Sequence, residues 1–110
     1  MNQDVDMKAQ VKQILKVVQE LAPGRSVELR IPPYAAIQCV GGSIHRRGTP
    51  PNVVEMSAET LLSLLDNPVK WQQYCDLGSI SASGTNSNLG NLFAEVSKLM
   101  NSEGGSEHGK

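Results

Sequence analysis

Three dipeptides break the middle of this chain: Pro32-Pro33, Gly41-Gly42 and Pro50-Pro51. Proline donates no backbone hydrogen bond, and paired glycines favour turns, so none of the three suits the interior of a helix or a central strand. The segments between them are therefore short, and they read as strands. "SVELRI" sets Val27, Leu29 and Ile31 against Glu28 and Arg30, the alternation of a half-buried strand. "YAAIQCV" is apolar on both sides, which suggests a central place in a sheet. Gly41-Gly42 reads as a two-residue hairpin turn that returns "SIHRR" antiparallel to it. Gly48 and the second proline pair end that strand, and "NVVEM" makes a fourth. Further on, "SISASG" alternates Ile80 and Ala82 with serines, a fifth strand with one exposed face.

Helical periods flank this block. Val11, Ile14, Leu15, Val18, Leu21 and Ala22 recur at three- and four-residue steps, and Pro23-Gly24 stops the stripe. Lys8, Lys12 and Lys16 lie on another face, as a solvated row. Asp4 and Asp6 suit the positive end of the helix. Ser57 is a good N-cap for a short helix bearing Leu61, Leu62, Leu64 and Leu65. Asn67-Pro68 restarts a helix, and Gly78 ends it. Leu89, Leu92, Phe93, Val96, Leu99 and Met100 define a last amphipathic helix. The order predicts an α+β fold: a five-stranded, mostly antiparallel sheet with helices packed on one face. A single domain spans residues 1–101, and residues 102–110, without an apolar anchor, form a disordered tail.

Composition narrows the function. With 110 residues and 39% hydrophobic content, there is material for one core. A formal charge of −1 with interspersed signs argues against nucleic acid as the partner. No apolar run reaches membrane-span length, so stable membrane insertion is not expected. The N-terminus MNQDVDMK lacks the charge pattern of an export signal, which points to the cytoplasm. Cys39 and Cys75 read as small buried thiols rather than a disulfide.

No catalytic set emerges. Pairing about Gly41-Gly42 places Gln38 opposite His45 and Cys39 opposite Ile44, so Cys39 and His45 would face opposite ways. Neither cysteine has the electropositive surroundings that lower a thiol pKa. No Cys or His pair has ligand spacing, and no cofactor or metal is expected. Arg46 and Arg47 alternate faces, so one of them can address a phosphate or carboxylate. What stands out is a surplus of apolar helical stripes for so small a sheet. Aliphatic side chains of this kind enclose either a dry core or an apolar cavity.

Several stretches carry a resemblance. "APGRSVELRIPPYAAIQCV", "HRRGTPPNVVE" and "GSISASG", over residues 22–84, resemble the bacterial sterol-carrier-like family, relatives of the sterol carrier protein 2 domain. The resemblance implies a five-stranded sheet with helices on one side, an apolar tunnel for lipid-like ligands, and no chemistry of its own. The last helix, "NLGNLFAEVSKLM", departs from the proline-containing ending associated with bacterial relatives, and that segment helps close the tunnel. On this reading the chain is a non-enzymatic carrier for a hydrophobic small molecule or lipid. Ile37, Val54, Met56, Leu61, Leu65, Trp71, Leu92, Phe93 and Val96 would line the cavity, with His45, Arg46 and Arg47 at its mouth. Homodimerisation is left open. The alternative is an interaction, regulatory or enzyme-accessory domain with a filled core.

Overall fold

Val11, Ile14, Leu15 and Val18 are buried along one side of a 19-residue helix, α1 (Gln3–Leu21). The computed structural model describes residues 3–42 and 52–108. After α1 come β1 (Val27–Ile31), β2 (Ala35–Cys39), β3 (Asn52–Met56) and α2 (Ala58–Asp66). A 3-10 turn (Pro68–Lys70) leads into α3 (Trp71–Leu77), followed by β4 (Ile80–Ser83) and α4 (Gly90–His108). The α+β class is as the periods predict, and the local signals act as read. Ser57 Oγ accepts the Thr60 N–H at 3.1 Å to cap α2. Gly78 ends α3 with φ of 83°, a conformation that disfavours any side chain.

Among the described residues the sheet has four strands in the order β2-β1-β3-β4, not five. The expected strand at 43–47 lies outside the described residues, as do His45, Arg46 and Arg47. The sheet is also mixed: β1 pairs antiparallel with β2, β3 antiparallel with β4, but β1 and β3 run parallel. The tight hairpin is at the first proline pair. Pro32 to Tyr34 link β1 to β2, closed by the Tyr34 N–H on the Ile31 carbonyl at 2.8 Å. Prolines have no N–H to leave unpaired, so the pair that interrupts a ladder also serves as its turn. Neither Gly41 nor Gly42 takes the positive φ of a two-residue hairpin turn, and the strand that such a turn would return lies outside the described residues.

One face of the sheet is apolar. Val27, Leu29 and Ile31 of β1 stand beside Cys39, Ile37 and Ala35 of β2, and Leu29 is beside Val54 of β3. Met56 pairs with Ile80 at the far edge. The burial alternates along β1 and β3, so the opposite face is the wetter one. There Arg30 and Glu55, register partners, approach to 3.5 Å; both are about half exposed, and such a pair contributes at most about 1 kcal/mol. The helices cover the apolar face. Leu61 and Leu64 of α2, and Phe93 and Val96 of α4, join the strand residues and the α1 stripe in one cluster. Gln19 Nε2 donates to the Gln38 carbonyl at 3.1 Å and fastens α1 along β2.

The backbone helix of α4 continues to His108, through residues expected to form a disordered tail. Extending a helix that is already anchored adds one hydrogen bond per residue ordered, whereas the composition argument considered the tail by itself.

A candidate ligand-binding recess at the start of the last helix

Two backbone segments cross closely where β2 ends. Gly24 has φ of 148°, and a Cβ there would lie 2.3 Å from the carbonyl carbon and oxygen of Val40. Val40 itself has φ of 67°, the left-handed region that a β-branched residue rarely enters. Its conformation is held from both sides. The Val40 N–H donates to the Ala22 carbonyl at 2.7 Å, and the Val40 carbonyl accepts from the Ser26 N–H at 2.9 Å. Strain of this kind costs of order 1–3 kcal/mol and persists only where the surroundings over-determine it.

Beside this crossing lies a buried polar knot. Asn52, 2% exposed, stands on the inward face of β3 in phase with Val54 and Met56. Its Nδ2 donates to the Ser26 carbonyl at 2.8 Å, and its Oδ1 accepts the Asn86 N–H at 3.0 Å. One side chain thus joins the start of β1, the start of β3 and the loop between β4 and α4. Ser87 Oγ braces that loop on the Gly84 carbonyl at 3.1 Å. The Ser26 hydroxyl is buried and has no partner among the described residues.

Crossing and knot together frame a recess of about 440 Å³. Ala22, Val40, Leu89 and Leu92 supply its apolar wall; Gly41, Thr85, Asn86 and Asn88 supply its polar rim. No charged residue is among these eight. The recess lies at the N-terminal end of α4, where Asn88 Oδ1 accepts the Gly90 N–H at 2.9 Å and no acid occupies the first turn. The positive end of the helix dipole is therefore uncompensated by any first-turn carboxylate, and its remaining N–H groups favour an anionic or acceptor group.

Three other recesses bounded by described residues have volumes of 360 Å³ between α1, α2 and α4, 280 Å³ beside Trp71, and 230 Å³ between α1 and β2. The nine residues assigned to a cavity lining are distributed among these places. Leu92 is on the recess at the start of α4, Leu65 on that between α1, α2 and α4, Trp71 on that beside its own ring and Ile37 on that between α1 and β2. Val54, Met56, Leu61, Phe93 and Val96 line none of the four and sit in the packed interior. Trp71 stacks on Phe93 with ring centroids 6.2 Å apart. Sequence reasoning overlooked Gly24, Ser26, Val40, Asn52 and Asn88. Asn52 had a usable signal, a polar residue at an inward position of an alternating strand. Val40 had none, because its conformation is imposed by contacts distant in sequence.

The thiols are chemically quiet. Both cysteines are free, and burial pushes Cys39 up to about 11 from an ordinary 9.0. Cys75 is also raised, by burial first and then by the neighbouring Asp76 carboxylate. A thiol raised in the folded state ionises first in the unfolded chain, so stability from this group is intact below pH 9 and falls between about 9 and 11. The urea midpoint should therefore drop from pH 8.5 to about 10.5 in the native chain and drop less in Cys39→Ala. Equal pH dependence in both would show that Cys39 ionises freely while folded. Among the described residues, no three His, Cys, Asp or Glu side chains are placed to hold a metal ion, and no helix is long and apolar enough to cross a membrane.

Residues 3–94, most of the chain, match the model of a family described as bacterial SCP ortholog. No curated protein matches the chain.

Proposed function

The chain belongs to the bacterial sterol-carrier-like family, and from that premise we propose that it is a non-enzymatic cytoplasmic carrier for an apolar or amphipathic ligand of lipid or fatty-acyl type. The observation that carries the reading is the recess at the start of α4, with its aliphatic wall and uncharged polar rim. Its volume, 440 Å³, lies within the range of about 300–1,000 Å³ common for small-molecule sites. Apolar surface transferred from water contributes affinity at about 25 cal/mol per Å². The rim and the open N-terminus of α4 orient the polar end, a carboxylate or ester oxygen being the suitable acceptor.

Leu92 is the gate in this scheme. The next residue, Phe93, is fully buried against the core, and Val96 lies one turn further on. An acyl chain entering past Leu92 would reach the interior lining proposed from the sequence, with Val54, Met56 and Leu61 displaced around it. The described chain leaves the recess at Gly41-Gly42 and returns at Asn52, whose side chain supports the rim. His45, Arg46 and Arg47 fall in the interval, and the proposal keeps them at the mouth.

Protein expressed in bacteria should carry a stoichiometric lipid or acyl adduct in native mass spectrometry, identified after organic extraction. Leu92→Arg should weaken uptake of a fluorescent fatty-acid probe at least about tenfold, a loss of about 1.4 kcal/mol, with the circular-dichroism spectrum retained. A clean apo mass together with no probe uptake by the native chain would overturn the carrier reading. The second reading, an interaction domain with a filled core, is favoured by the complete burial of Val54, Leu61, Phe93 and Val96. That negative result would select it.

A further inference from the structure

We infer a second binding site, distinct from the recess at the start of α4, that takes a single aliphatic chain ending in a protonated amine. It is the 360 Å³ recess between α1, α2 and α4. Its apolar surface comes from all three helices: Ile14, Leu62, Leu65 and Met100. Two of them, α2 and α4, are held in register by Ser97, which is 7% exposed. Its Oγ donates to the Leu65 carbonyl at 2.6 Å and accepts from Asn101 Nδ2 at 3.2 Å, so α4 is tied to the last turn of α2 at the wall of the recess.

Charge decides the ligand class. Gln10, Gln13 and Asn101 on the rim are neutral amides, and Asp66 is the one charged residue in the lining. Asp66 ends α2, a nine-residue helix with no basic residue in its last turn. The carbonyls of Ser63 and Leu64 already accept the Asn67 N–H and that of Leu65 accepts the Ser97 hydroxyl, so the Asp66 carboxylate itself is the source of negative potential at this end of α2. Among the described residues the ion pairs are Arg30–Glu55 and Lys98–Glu95, and neither involves Asp66. Apolar surface and uncompensated negative potential thus meet in one recess. A carboxylate head would be repelled there, an alcohol would be indifferent, and an ammonium group would gain the carboxylate, with the amide oxygens as further acceptors. The site needs no part of the recess at the start of α4, whose polar end favours the opposite charge.

The test is calorimetry with decylamine, decanol and decanoate, each below its micelle concentration, with methyl NMR to locate the bound chain. Decylamine should bind about fivefold more tightly than decanol, the scale of a partly exposed ion pair, and shift the methyls of Leu62, Leu65 and Met100. Asp66→Asn should bring the two affinities together, with the circular-dichroism spectrum of the folded chain retained. Equal binding of amine and alcohol to the native chain would overturn the inference, as would an amine preference that survives Asp66→Asn. Shifts confined to Leu89 and Leu92 would overturn it as well, while leaving the site at the start of α4 in place. Failure of decanoate to bind anywhere bears on the carrier reading alone.

Discussion

Gly24→Ala should lower the melting temperature by on the order of 10–15 °C. The added Cβ would meet the carbonyl carbon and oxygen of Val40 at 2.3 Å and the amide nitrogen of Gly41 at 2.4 Å. These are backbone atoms, so no rotamer change relieves the overlap. The segment they belong to is pinned by the hydrogen bonds of Val40 to Ala22 and Ser26. Moving it would disturb the end of α1, the start of β1 and the wall of the recess together. A cost of about 3 kcal/mol follows from strain and overpacking, and in a domain of this size each kcal/mol lowers the melting temperature by about 4 °C. Gly78→Ala is the control. Gly78 also has positive φ, 83°, but its Cβ would meet nothing within 4 Å. Only the left-handed conformation is penalised there, about 1 kcal/mol or about 4 °C. Equal shifts for the two variants would mean that the close crossing of residues 24 and 40 does not exist in solution.

The second large effect is at Asn52. Asn52→Ala should destabilise by about 2–4 kcal/mol, because it removes two hydrogen bonds and leaves the Ser26 carbonyl and the Asn86 N–H without their partner. Thermal or urea unfolding measures this directly. Fatty-acid probe affinity should fall as well, since Asn86 is on the rim and loses its anchor. Ser26→Ala gives the opposite sign or no change. Its hydroxyl is buried with no partner among the described residues, so deleting it removes a desolvated polar group and leaves the backbone bonds of Ser26 intact. If Asn52→Ala melts with the native chain, the amide does not bridge the strands and loop as described. The two substitutions separate a polar group that holds the structure from one that is only enclosed by it.

Much of the fold was legible because its signals are local. The α1 stripe, the Ser57 cap, the Gly78 stop and the alternation along β1 and β3 each concern residues within one or two turns of one another. Such patterns report which side of an element avoids water, whatever that element later meets. Strand pairing was less legible. Alternation and chain breaks identified β1, β2 and β3 but not which neighbour each would take, and the turn between β1 and β2 falls at Pro32-Pro33, a pair read only as an interruption of the ladder. The parallel pairing of β1 with β3 has no local signature at all.

The candidate site divides in the same way. Period and composition placed Leu92, Leu65, Trp71 and Ile37 on buried-facing positions, and each does border a recess. They border different ones, because a shared apolar character says nothing about shared location. By itself the sequence determined the α+β class, the amphipathic helices and the membership of a sterol-carrier-like family, since these rest on periodicity and on contiguous motifs. Tertiary structure alone decided the close approach of Gly24 to Val40, the placement of Asn52 between Ser26 and Asn86, and the uncompensated Asp66 beside an apolar recess. The first joins residues 16 positions apart, the second residues 26 and 34 apart, and the third brings Asp66 beside residues up to 56 positions away. A backbone contact, a buried hydrogen bond or a local potential exists only once packing has brought such residues together.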